Sequence, residues 1–335
     1  MSVAAVAEER EEKMGVMVND VTSSGGSMIP KRLPEYVQFG CFYDIRSIIE
    51  SGFHAPIYVS GLSGNGKTLM TDQVCAVTKR ELIAISITEE TDESDLIGHY
   101  DLINGETVWR DGPVIVAMKR GAVLLLDEVD QGLFKLMCLQ NVLDNKPVYI
   151  KKINQIVYPA PGFTVIATAN TKGRGSDDHK YVGNNVLNEA FLERFSFTFE
   201  HDYPSKEIEE NIIRKMFTKY GVEESELTNY FADILSQWSM STRERYKEGA
   251  EDLITTRRLD HIVKGYSIFK DIKKSLKISM SRFDTSTAKA FMDFFDKLYD
   301  EAKAKKLTAK ALGIDPAGSK QEDSPKEAQT ANWSW

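Results

Sequence analysis

Between residues 57 and 199 the chain alternates short apolar runs with segments of helical spacing. Ile57–Val59, Leu82–Ile87, Ala122–Leu126, Thr164–Thr168 and Ser196–Phe199 have the length of strands. Continuous apolar runs, rather than strict alternation, mark strands covered on both faces and so a parallel sheet between helices. A helix is predicted over Thr68–Arg80, directly after the first run and its glycine-rich loop. Strands alternating with helices place this part in the α/β class, here with a five-stranded parallel sheet. Lys146–Pro161 alternates around Val148, Ile150, Ile153, Ile156 and Val157, which predicts an inserted hairpin.

From Pro204 the period becomes helical throughout. Ile208, Ile212, Ile213, Met216 and Phe217 share one spacing, as do Leu227, Phe231, Ile234, Leu235 and Trp238. Ile262, Tyr266 and Phe269 follow, then Phe291, Phe294, Phe295 and Leu298. The expected organisation is a flexible leader (1–28), an α/β domain (29–203), a smaller all-α lid domain (204–312) and a disordered polar tail (313–335). Trp333 and Trp335 end that tail, where they read as an ordinary chain end or a docking peptide.

Composition narrows the function classes. Of 335 residues, 42% are hydrophobic, which excludes wholesale disorder. The net charge of -8 argues against a large sequence-independent nucleic-acid footprint, although Lys151, Lys152, Lys172 and Arg174 leave room for a local one. Cys41, Cys75 and Cys138 are too far apart for a zinc or disulfide framework, and only five histidines occur. No apolar run reaches ~18 residues and the acidic start (Glu8, Glu9, Glu11, Glu12) lacks secretory features, so a cytoplasmic protein without a membrane span is expected.

The chemistry concentrates at strand ends. Gly61-Leu62-Ser63-Gly64-Asn65-Gly66-Lys67-Thr68 follows a predicted strand and opens a predicted helix, with Leu69 next. In this pattern glycines let successive N–H groups converge on phosphate oxygens, and the helix start adds its positive dipole end. Lys67 is placed to reach the β- and γ-phosphates, and the Thr68 hydroxyl to ligate Mg²⁺. Asp127 and Glu128 close the strand Ala122–Leu126: the first is a Mg²⁺ ligand, the second a residue that polarises the attacking water. Asp130 reads as a helix-start residue. Asn170 ends the strand Thr164–Thr168, either as a turn former or as an amide that senses the γ-phosphate.

Lysine loop, acids and amide, in that order, resemble an AAA+ ATPase. The stretches Asp95–Gly98, Asn104–Pro113 and Gly121–Glu128 resemble the MoxR branch. Gly52-Phe53, Pro161–Thr171 and Leu187–Phe195 are similar to the CobS family, the AAA+ subunit of aerobic cobaltochelatase. The resemblance implies ATP and Mg²⁺ as cofactors, a hexameric ring, and Arg194 as an arginine finger offered to the neighbouring subunit. It also implies a second sensor arginine in Thr256-Arg257-Arg258. Arg257 is favoured because it lies two residues after Thr255, with Arg258 still open. The inserted hairpin would face a central pore, or be an ordinary surface hairpin. Trp109 would pack beneath the insert or touch a client.

Three functions follow. The first is an ATPase that drives cobalt insertion into a corrinoid, working with a von Willebrand A-type subunit and a large chelatase subunit. The second is a MoxR-like chaperone for another protein client, and the third a nucleic-acid-stimulated motor.

Overall fold

The computed structural model describes residues 26–132, 134–172 and 187–311. Most of the leader, Arg174, and the tail with Trp333 and Trp335 lie outside the described residues. The chain divides into two compact units, Met1–Ser279 and Met280–Trp335.

In the first unit, strands β1 (Ile57–Ser60), β2 (Leu82–Ser86), β5 (Val123–Asp127), β8 (Thr164–Ala169) and β9 (Phe197–Glu200) form one sheet in the order β2-β5-β8-β1-β9. Every pairing in it is parallel. The apolar runs are continuous because each face of the sheet has its own core. Ile57, Val59, Val123, Leu125 and Ile166 pack with Phe42, Ile45 and Ile49 of α1 (Phe42–Ser51) and with Met70 and Val74 of α2 (Lys67–Thr78). Their neighbours Tyr58, Leu124, Leu126, Val165 and Ala167 point the other way, into a larger cluster. That cluster includes Leu96 and Ile97 of α3 (Glu93–Ile97) and Val114, Ile115 and Met118 of α4 (Pro113–Arg120). Such two-faced burial makes a parallel sheet the stable solution.

Two antiparallel ribbons stand outside this sheet. β6 (Val148–Ile150) and β7 (Gln155–Val157) are the predicted insert, shorter than expected because Lys151–Ile153 forms a helical turn. β3 (Gly98–Ile103) and β4 (Glu106–Asp111) form a second hairpin that the apolar pattern did not predict. Asn104 and Gly105 join them with φ of 52° and 86°, the left-handed pair that a two-residue hairpin turn requires. Tyr100 ties the ribbons together: its hydroxyl donates to the Lys152 carbonyl at 2.8 Å. Trp109 is partly buried, edge-on to Tyr100, with the Lys152 ammonium 6.0 Å from its ring.

After β5 the chain forms the short helix α5 (Gln140–Leu143), and before β9 another, α6 (Glu189–Leu192). Beyond β9 the elements described are helices: α7 (Lys206–Lys219), α8 (Glu226–Lys247), α9 (Thr256–Phe269) and α10 (Ile272–Met280). Ser225 caps α8 and Thr255 caps α9 through their side chains. In the second unit α11 spans Thr285–Ala311, and Asp284 accepts the backbone N–H groups of Ser286 and Thr287 at its start. No helix among the described residues is long and apolar enough to cross a membrane. Cys41 and Cys75 are buried, Cys138 is half-buried, and all are free.

Candidate functional site

The loop between β1 and α2 is shaped by what surrounds it. A side chain at Gly61, whose φ is 154°, would collide with the His201 carbonyl. The same carbonyl accepts a hydrogen bond from the Asn65 amide. Gly66 reaches a φ of 101°, and α2 begins one residue later with no acid in its first turn. That first turn lines the cleft and carries no carboxylate of its own, an arrangement suited to an anion.

Lys67 is buried, and its ammonium donates to the carbonyls of Gly61 (2.6 Å) and Leu62 (3.1 Å). It also reaches Asn65 Oδ1 at 3.4 Å and Asn170 Oδ1 at 3.3 Å. Burial lowers its pKa to about 8, against the pull of Asp130, Asp127 and Glu128. The Thr68 hydroxyl lies 3.1 Å and 3.0 Å from the two Asp127 carboxylate oxygens. Lysine loop, acids and amide, read from separate strand ends, thus meet in one cleft of 420 Å³. Ser63, Gly64, Asn65, Gly66, Leu69 and Arg257 line it as well.

Glu128 adopts φ 61° and ψ 43°, a left-handed conformation uncommon for a residue with a side chain. Its N–H donates to Thr168 Oγ1 at 3.2 Å, and its carboxylate accepts from the Gln131 amide at 2.7 Å. The Thr168 hydroxyl also donates to Asp127, so one buried hydroxyl orients both acids. Nothing in the sequence marked Thr168, because its role depends on strand order.

Asp130 lies in the first turn of the short helix Val129–Gln131, as a helix-start residue should, but its side chain is not a cap. Its Oδ2 accepts from the backbone N–H of Asn170 (2.9 Å), from that of Thr171 (3.1 Å) and from the Thr171 hydroxyl (3.2 Å). The carboxylate fixes the turn that presents the Asn170 amide. Burial raises its pKa, opposed by those hydrogen bonds.

The two arginines of the helical region separate clearly. Arg257 lines the cleft, and its N–H donates to the Gly64 carbonyl at 3.2 Å. Arg258 turns instead to the Ser279 carbonyl at 3.0 Å. Arg194 does not line the cleft; it donates to the Ala190 carbonyl and lies 3.3 Å from Asp144. Beside the loop a further cavity of 190 Å³ is lined by Tyr36, Val37, Phe39, Leu69, Ile212 and Met216. It shares Asn65 and Gly66 with the cleft, and sequence reading missed it because residues 36–39 have no periodicity. His201, buried behind the loop, is held neutral: burial first, then Lys67, lowers its pKa to about 4.

Residues 56–195, which hold the loop, both acids and the amide, match the family described as AAA domain (dynein-related subfamily). That stretch is similar to AAA domains of this subfamily. Midasin of Giardia intestinalis is 31% identical over 169 residues, which is 49% of this chain and 3% of that protein. Protein NorQ of Paracoccus denitrificans is 33% identical over 117 residues, 34% of this chain and 43% of NorQ. Aerobic cobaltochelatase subunit CobS of a Sinorhizobium species is 25% identical over 197 residues, 57% of this chain and 59% of that subunit. The chain thus spans less than two thirds of each of these relatives. The three relatives carry three different names.

Proposed function

We propose that this AAA+ protein hydrolyses ATP with Mg²⁺ and uses the energy to remodel a protein partner, as a MoxR-like chaperone does. One observation carries the reading: Thr68 meets Asp127 while Lys67 meets Asn170, all in the same cleft. A threonine hydroxyl and a carboxylate are hard oxygen donors of the kind Mg²⁺ takes together with waters and phosphate. Thr68 and Asp127 would hold the ion, which neutralises phosphate charge when bound. Gly61, Ser63, Gly64, Asn65, Gly66 and Leu69 shape the cradle around the triphosphate, and the Lys67 ammonium exchanges loop carbonyls for phosphate oxygens. Glu128 orients the attacking water and takes up its developing proton. Asn170 positions that water against the γ-phosphate. Arg257 contacts the same end of the nucleotide from the helical side. The apolar cavity behind Tyr36, Val37 and Phe39 takes the adenine base.

Arg194 serves a neighbouring subunit, in keeping with its place outside the cleft of its own chain. The assembly is then a ring, hexameric in the reading adopted here. The ribbons expose Leu102, Tyr149, Ile156 and Tyr158, an apolar surface suited to gripping a client.

Cobalt insertion with a von Willebrand A-type subunit and a chelatase subunit is the narrower reading. The chaperone is preferred because relatives as differently named as midasin, NorQ and CobS share this domain. A role as a nucleic-acid motor fits the net charge of -8 poorly. The decisive experiment is calorimetry and turnover on Lys67→Ala and Glu128→Gln. The first should lose nucleotide binding; the second should bind ATP with unchanged affinity, hydrolyse it at most ~10⁻² as fast, and retain the client. Parental turnover by Glu128→Gln would overturn the assignment. Capture of a chelatase subunit, with ATP-dependent cobalt insertion, would favour the narrower reading.

A further inference from the structure

A buried ionic knot lies beside the phosphate loop. Glu209 of α7 is fully buried, and Arg243 of α8 nearly so. The guanidinium donates to both carboxylate oxygens, at 2.7 Å and 2.9 Å, the two-pronged geometry that arginine provides. Ser239 Oγ donates to the same carboxylate at 2.5 Å, and Thr256 Oγ1 at 2.9 Å. Arg243 Nε donates to the Ile254 carbonyl at 2.9 Å. A charged pair this deep in a helical bundle contributes little net stability over an apolar pair, because its desolvation cost offsets its attraction. Its placement is what distinguishes it.

Both outlets of the knot lead to the loop. On one side the Tyr203 ring lies under the Arg243 guanidinium, 3.9 Å from ring centre to carbon, and the Tyr203 hydroxyl donates to the Ser63 carbonyl at 2.8 Å. On the other side Thr256 is the first residue of α9, and the next N–H, that of Arg257, donates to the Gly64 carbonyl at 3.2 Å. Gly64 itself leaves no room: a Cβ there would stand 3.0 Å from Thr255 Cβ. Two consecutive carbonyls of the loop are thus held from outside by groups anchored to one ion pair. Their orientation sets where the adjoining N–H groups point, and those N–H groups are what a phosphate chain meets.

We infer that Tyr203, Arg243, Glu209 and Thr256 are positioning residues that set the loop and Arg257 for a triphosphate rather than a diphosphate. This inference rests on the ATPase reading above.

Removing the ion pair is a poor test, since Arg243→Met would strand a buried carboxylate and unfold the region. Tyr203→Phe keeps the ring under the guanidinium and deletes the bond to Ser63. Thr256→Val deletes the bond to Glu209 and the 3.4 Å bond from Arg243, and Thr256→Ser restores both. The measurement is the ratio of the dissociation constants of ADP and a non-hydrolysable ATP analogue, taken by calorimetry on full-length protein with Mg²⁺. Each deletion should lower the preference for the triphosphate about three- to tenfold, the factor a single hydrogen bond carries, and kcat should fall more than KM rises. Thr256→Ser should stay near wild type. Folded Tyr203→Phe and Thr256→Val proteins that both keep the ratio within threefold of wild type would overturn the inference, as would Thr256→Ser shifting as far as Thr256→Val. Wild-type protein that binds neither nucleotide would instead remove the ATPase reading itself.

Discussion

The ammonium of Lys67 is nearly enclosed by loop carbonyls and the Asn65 and Asn170 side chains, and its pKa falls to about 8. A polyphosphate placed against it raises that pKa again, so binding takes up a proton once the pH exceeds about 8. Nucleotide affinity should therefore be flat below that pH. Above it, affinity should weaken by up to about tenfold per pH unit until the pKa of the complex is passed. Calorimetry in buffers of different ionisation enthalpy checks both the slope and the proton uptake. Residue types and spacing disclosed Lys67, Thr68, Asp127 and Glu128, because a local motif carries them. The partners that aim them were not legible. Asp130 reaches the Asn170 N–H across 40 positions, and Tyr203 reaches the Ser63 carbonyl across 140. No local pattern encodes a bond that exists only after the strands have paired.

At the scale of elements, all five strands of the sheet were legible as apolar runs: β1, β5 and β8 because they are buried on both faces, and β2 and β9 although much of each is exposed or half-exposed. The hairpin of β3 and β4 escaped because most of it is exposed or half-exposed, so neither an apolar run nor a clean alternation betrays it. Its turn at Asn104-Gly105 was the available signal. The loop after β1 shows how an element can be fixed by its neighbours. Gly61→Ala must push against the His201 backbone at a φ of 154°. The expected loss is about 1–3 kcal/mol of stability, together with weaker nucleotide binding. Denaturant titration and calorimetry on the same preparation separate the two effects.

For the whole molecule, the proposal to test is that Arg194 reaches the γ-phosphate of a neighbouring subunit. Its guanidinium is engaged with Ala190 and Asp144 of its own chain, away from its own cleft. Arg194→Ala should reduce turnover by ~10³-fold or more while leaving nucleotide affinity unchanged. Mixing it with Glu128→Gln should restore part of the activity, since some interfaces then combine an intact acid with an intact arginine. Steady-state turnover across mixing ratios is the measurement, and a strictly additive, inactive mixture would place the arginine's role within one subunit.

The bond between Tyr100 and Lys152 lands on a main-chain oxygen, which every residue type offers. Position 152 can therefore change its side chain, and with it the charge shown to whatever docks there, losing the approach of its ammonium to Trp109 but keeping the bond from Tyr100. Position 100 has no such latitude: phenylalanine there would delete the bond and leave the approach of the Lys152 ammonium to Trp109 to transmit a tug from one ribbon to the other.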